Sequence, residues 1–178
     1  MRKILLIASL IFLSSIFVNS QTKVAIIKSC SGDIKVIQGK EEIKAKNYLE
    51  IIAPSTIVME KDSYLTLFFK NGDTVTFSGI NKFEISTSGL KALMKETEVY
   101  LAEVKKTYTA KDTLSSRKGK KEEIPESVTK EIQEIEENVS DPVLKALLKG
   151  ECYKRNNLPV KASEEFRIHK KLIGEEKN

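Results

Sequence analysis

Apolar and polar positions alternate in short runs from Lys23 to Ile85, and this pattern predicts β-strands. Val24-Ala25-Ile26-Ile27 runs into the turn-rich Ser29-Cys30-Ser31-Gly32-Asp33, and Ile34-Lys35-Val36-Ile37 runs into Gln38-Gly39-Lys40. Tyr48 to Ile52 is a short apolar stretch broken by Pro54, and Ile57-Val58-Met59 leads to the polar Glu60-Lys61-Asp62-Ser63. Tyr64-Leu65-Thr66-Leu67-Phe68-Phe69 is the strongest strand. Asn71-Gly72 is a hairpin signal because both residues tolerate the positive φ of a tight turn. Thr74-Val75-Thr76-Phe77 answers it, and Phe83-Glu84-Ile85 closes the series. Short, evenly spaced strands predict a small antiparallel sandwich or barrel-like domain over 21–88.

The period then changes. Leu90, Leu93, Met94, Thr97, Tyr100, Leu101, Val104 and Tyr108 recur at steps of three and four, which predicts an amphipathic helix over 89–108. Residues 109–124 lose periodicity and gather Lys111, Arg117, Lys118, Lys120 and Lys121 among serines and a glycine, the composition of a flexible basic linker. A helical unit is expected over 125–178. Pro125 suits a first turn, and Val128, Ile132, Ile135 and Val139 form an apolar seam with Glu126–Lys130 as a supporting pair. Asp141-Pro142 starts a second helix bearing Val143, Leu144, Leu147, Leu148 and Tyr153, which stops at Asn156-Asn157. Pro159 opens a third, with Ala162, Phe166, Ile168 and Leu172, ending at Gly174. The fold class is therefore α+β, with the last two helices as an antiparallel hairpin.

The N-terminus changes the picture of where such a chain works. Arg2 and Lys3 precede an apolar run of 15 residues, Ile4 to Val18, shorter than the roughly 20 that a spanning helix requires. With Val18-Asn19-Ser20 behind it, the segment 1–20 reads as a secretory signal peptide cut between Ser20 and Gln21. The protein is then exported, to the periplasm or the exterior. The first cysteine, Cys30, lies too far downstream for lipidation next to the apolar run. The full chain carries 30 cations against 25 acids, a net charge of +5, and removing 1–20 takes two cations and no acid, leaving +3. That balance does not imply nucleic acid. Cys30 and Cys152 could form one bridge in an exported chain, but they fall in segments read as separate modules and are expected as independent thiols.

Two resemblances follow from particular residues. Cys30-Ser31-Gly32-Asp33-Ile34-Lys35-Val36, the middle-strand positions Leu49 and Ile57, and Asp62 to Val75 with its Ser-x-x-x-Leu strand and Asn71-Gly72-Asp73-Thr74 turn make 24–85 resemble the periplasmic β-domain of FecR-type regulators. Those regulators carry a cytoplasmic segment and a spanning helix ahead of the β-domain, and this chain shows neither. The resemblance therefore implies an exported, non-catalytic β-module rather than iron sensing or sigma-factor control. Gly150, Tyr153, Ala162 and Phe166 fall at the small-aromatic-small-aromatic spacing of a tetratricopeptide repeat, so 143–173 looks like one such repeat. It departs from the motif at Ala146, Lys149 and Gly174, and a lone repeat does not build the usual groove, which takes about three. An ordinary helical hairpin explains the same residues.

Candidate chemistry is sparse. His169, the single histidine, sits beside Lys170 and Lys171 and is expected to be solvated. The chain has no Cys-x-x-Cys, no calcium-loop spacing and no phosphate-cradling glycine loop, so no cofactor is implied. Glu134, Glu136 and Glu137 read as a solvated helix face, and Asn138-Val139-Ser140 is a formal glycosylation acceptor. Three function classes remain. The first is an envelope binding or scaffold protein that contacts protein or cell-envelope polymer, with a weak contact to anionic membrane surface through Arg117, Lys118, Lys120 and Lys121. The second is a signalling regulator held by an uncleaved N-terminal anchor. The third is a hydrolase whose acids, such as Glu60, Asp62 and Asp73, are gathered by folding.

Overall fold

The computed structural model describes residues 22–93, 102–109, 112 and 122–176. The order of elements is β1 (Thr22–Ser31), β2 (Ile34–Gln38), β3 (Glu41–Lys44), β4 (Glu50–Ala53), β5 (Ser55–Met59), β6 (Tyr64–Phe69), β7 (Asp73–Ser78), β8 (Asn81–Ser86), β9 (Gly89–Ala92), β10 (Ala102–Lys106), α1 (Glu126–Asn138), α2 (Pro142–Arg155) and α3 (Pro159–Glu176). The strands form two five-stranded antiparallel sheets. Sheet I runs β10-β7-β6-β1-β4, and sheet II runs β3-β2-β5-β8-β9.

The sheets pack face to face because their strands alternate. Ala25, Ile27, Leu65, Leu67, Val75 and Phe77 point inward from sheet I, and Ile34, Val36, Ile57, Met59, Phe83 and Ile85 meet them from sheet II. Phe77 stacks on Phe83 across the gap at 4.2 Å between ring centroids. The β1–β2 and β5–β6 turns lock together at one end of the sandwich. Gly32 has φ +85°, and a Cβ there would lie 2.7 Å from the Ser63 Cα, so only glycine fits. The Ser63 hydroxyl donates to the Asp33 carbonyl at 3.0 Å.

The β6–β7 turn departs in detail from the expectation of two positive φ values. Only Gly72 takes one, +83°. Asn71 contributes its side chain instead, accepting from the Asp73 N–H at 2.9 Å and donating to the Asp73 carboxylate at 2.7 Å.

Two sequence expectations give way, and one strand is added. The helix expected over 89–108 is replaced, where the chain is described, by β9 and β10, and residues 94–101 lie outside the described residues. Pairing decides this. Leu90 sits opposite Ile85 and Ala92 opposite Phe83, while β10 completes sheet I against β7, so hydrogen bonding to a waiting edge overrides a three-and-four stripe. The added strand is β3, between the turn at Gln38-Gly39-Lys40 and Tyr48. It is an edge strand, where Glu41, Glu42 and Lys44 are tolerated. Helix α3 continues past Gly174 to Glu176, and nothing stands within 4 Å of the position a Gly174 Cβ would take.

The other helix ends agree with the sequence. The Asp141 carboxylate accepts from the N–H groups of Val143 and Leu144, both at 3.0 Å, and caps α2. Asn157, at φ +57°, lets the chain turn after Asn156. Glu122 caps α3 from outside the helix, accepting from Val160 N–H at 3.0 Å and Lys161 N–H at 3.1 Å. In α1, Val128, Ile135 and Val139 are buried and Ile132 partly so, as the seam predicts.

The helices do not stand apart from the sandwich. Ile26 and Phe68, on the outer face of sheet I, join the helical core of Val128, Ile135, Leu144, Leu147, Leu148, Cys152, Leu158 and Phe166. The expectation of separate modules is corrected: the helical unit is docked on sheet I.

Candidate functional site

Polar groups converge at three places on the docked face. At the β4 edge, the Glu50 carboxylate accepts from Ser140 N–H (3.0 Å), the Ser140 hydroxyl (3.0 Å) and Asp141 N–H (2.7 Å), and pairs with the Lys23 ammonium at 2.6 Å. Partial burial opposes ionisation, but Lys23 and the three donors outweigh it and hold the carboxyl below the usual carboxylate value. Asp141 in turn binds Lys70 Nζ at 2.8 Å. One connection between helices is thus tied to two strands.

In the middle lies a four-charge network. Lys28 Nζ reaches Glu131 and Glu151, each at 3.2 Å, and Arg155 reaches the same two acids at 2.5 and 3.4 Å. Lys28, with 13% of its side chain exposed, is the most enclosed member, so this network is screened less than an open surface pair. Burial opposes Glu131 ionisation, yet Arg155 and Lys28 hold it below the usual value. Tyr48 lies beside it in the left-handed region, φ +64°, unusual for a bulky side chain. Its N–H donates to the Ile27 carbonyl at 2.7 Å and its ring packs against the helical core, which holds the strained backbone in place. Burial, then the Glu131 and Glu134 carboxylates, push its phenol up to about 12.

At the opposite side, Tyr108 follows β10 and stacks on Phe166 at 4.4 Å. Its hydroxyl meets His169 Nδ1 at 2.7 Å, while His169 Nε2 lies 2.9 Å from the Lys70 carbonyl. A carbonyl only accepts, so Nε2 carries the proton there. The expectation of a solvated histidine is overturned: His169 is fully buried, because its helix face is the one laid on the end of β6. Sequence shows it only as a residue among lysines, and the burial comes from docking.

The thiols and carboxylates of this junction are engaged in packing and ion pairs. Burial, then Glu131, push the Cys152 thiol up to about 12, so it stays protonated and a poor nucleophile near neutral pH. Cys30 is half-buried, hydrogen-bonded through its N–H to Asn47 at 3.2 Å, and both thiols are free. The acids Glu60 and Asp62 precede β6 and Asp73 follows it, so the strand holds them about 20 Å apart. Asp73 is spent on Lys106 at 2.5 Å. Among the described residues no three His, Cys, Asp or Glu side chains gather as a metal site would require.

Gly150, Tyr153, Ala162 and Phe166 all lie in the α2–α3 interface, where a Gly150 Cβ would stand 2.4 Å from the Phe166 ring. Glu134, Glu136 and Glu137 are exposed, and Glu136 pairs with Lys145 at 3.1 Å and Lys149 at 3.0 Å. Ile168, expected inward, is 47% exposed. The cleavage residues Ser20 and Gln21 and the cations Lys111, Arg117, Lys118, Lys120 and Lys121 lie outside the described residues. No helix among the described residues is long and apolar enough to cross a membrane.

The outer face of sheet II differs from all of this. Lys35, Ile37, Glu42, Lys44, Thr56, Val58, Lys82, Glu84 and Lys91 share it by register, and each is exposed or half-buried. No protein family, curated protein or solved structure matches the chain, so the two resemblances rest on the residues quoted for them.

Proposed function

We propose that the protein is an exported, non-catalytic binding or scaffold protein of the cell envelope, holding protein or envelope polymer on its β-module. The observation that supports this best is the asymmetry of the sandwich. The centre of sheet I is buried on both faces, with Ile26 fully buried and Phe68 nearly so, while the outer face of sheet II is exposed or half-buried. A mixed polar and aliphatic surface suits recognition. The reactive groups near the junction are occupied with holding it together. The FecR-type resemblance, which implies an exported β-module without catalysis, points the same way. The test is capture from envelope fractions with the whole protein as bait, together with the mass of the exported form. A specific partner recovered above background and a mass starting at Gln21 are expected. Recovery of nothing above background would end the binding reading, and a mass that includes Met1 would end the export reading.

A further inference from the structure

Lysine–carboxylate pairs among the described residues concentrate on sheet I and the helices. On sheet I and the helices, Lys23, Lys28, Lys70, Lys106, Lys130, Lys145, Lys149, Lys154 and Lys161 each hold a carboxylate. On sheet II only Lys35 does, through Glu42 at 2.9 Å, and Lys44, Lys82 and Lys91 make no ion pair among the described residues.

Register then places these cations. Lys44 lies directly across from Lys35, Lys35 across from Val58, and Val58 across from Lys82. Like charges opposite one another on a sheet face are destabilising, and nothing in the packing requires Lys44 there. The four residues form one transverse row on strands β3, β2, β5 and β8. With strands about 4.8 Å apart, Lys44 and Lys82 stand about 14 Å apart with Lys35 between them. Lys91 extends the positive side one strand further, opposite Glu84. The face carries four lysines against Glu42 and Glu84. Asp33 and Glu60, in the turns at one end, act on Lys35, whose ammonium is stabilised first by Glu42. The face thus carries two more positive than negative charges, spread over Lys44, Lys82 and Lys91 with Glu84 beside the last two.

Resting on the binding reading above, we infer that this face takes a linear polyanion, a phosphate-bearing envelope polymer laid across the strands along Lys44, Lys35, Val58 and Lys82. Charge complementarity selects that occupant, since a row of separate cations fits anions repeated along an extended chain. The aliphatic carbons of Val58 and Ile37 give that chain a surface to lie on between the charges.

The probe is inorganic polyphosphate, titrated against the whole protein at low and at physiological salt. The triple variant Lys44→Gln, Lys82→Gln, Lys91→Gln should bind at least about tenfold more weakly, with unchanged thermal unfolding. The variant Lys40→Gln, Lys61→Gln removes two unpaired lysines from turns off the row, and should stay within about twofold of the parent. Equal losses in both variants would mean attraction by overall charge and would overturn the site. So would binding to phosphatidylglycerol vesicles that depends on the row while polyphosphate does not bind, which would make the occupant a membrane. If polyphosphate does not bind at all but envelope capture still recovers a specific partner, this inference falls and the binding reading stands. If neither succeeds, both fall.

Discussion

The two sheets are built from strands of similar length and have opposite fates. β6 of sheet I reads Tyr-Leu-Thr-Leu-Phe-Phe and is buried on both sides, while β5 of sheet II, Ser-Thr-Ile-Val-Met, buries every second residue only. A strand buried once is content with alternation. A strand buried twice needs apolar groups at both parities, and Phe68 is the extra one. The difference teaches that sheet I serves two cores, one shared with sheet II and one with the helices.

Cutting into the shared core gives the largest effect expected. Phe166→Ala empties the space that Gly150 leaves for the ring and removes the Tyr108 stack, so unfolding free energy should fall by about 3–5 kcal/mol, measurable by denaturant titration. Next comes a matched pair of substitutions on the two outer faces. Ile26→Thr should cost about 2–3 kcal/mol, because it removes buried carbon and adds a hydroxyl to a dry interface. Val58→Thr should change stability by less than about 0.5 kcal/mol, since that face is open to water. Equal costs would erase the distinction between the sheets.

Acid gives a smaller effect, located on sheet I. Glu50 and Glu131 ionise more readily in the folded protein than in the unfolded chain. Their contribution is present above the ordinary carboxylate value and is lost as pH falls through the lower, folded value. Protection factors along the docked helices should therefore fall below about pH 4.5, and Glu50→Gln should flatten that dependence. Exchange in sheet II should respond less. The smallest effect is chemical: a thiol reagent should modify half-buried Cys30 first, and Cys152 only at the rate at which the helical unit opens.

Much of the fold was legible in the alternation. β1, β2 and β4 to β8 follow apolar runs, and the caps at Asp141 and Asn156 follow the residues that make caps. The docking was legible in principle, because Leu65 to Phe69 is too continuously apolar for a strand with one wet face. What misled was a stripe at 89–108, where spacing suggested a helix and, where the chain is described, pairing with β8 and β7 made strands. The candidate site was the least legible. Lys28, Glu131, Glu151 and Arg155 come from three elements far apart in sequence, and only their packing gives them a joint role. Likewise, no local signal distinguishes paired lysines from unpaired ones, because partners on opposite sides of a sheet are set by register.

The tether at Asp141 has a bearing on how the chain is made. Glu50 and Lys70, which hold the start of α2, are synthesised long before the helix they anchor. Early residues thus set where a late helix begins, and a chain cut before residue 122 would leave Ile26 and Phe68 without their cover.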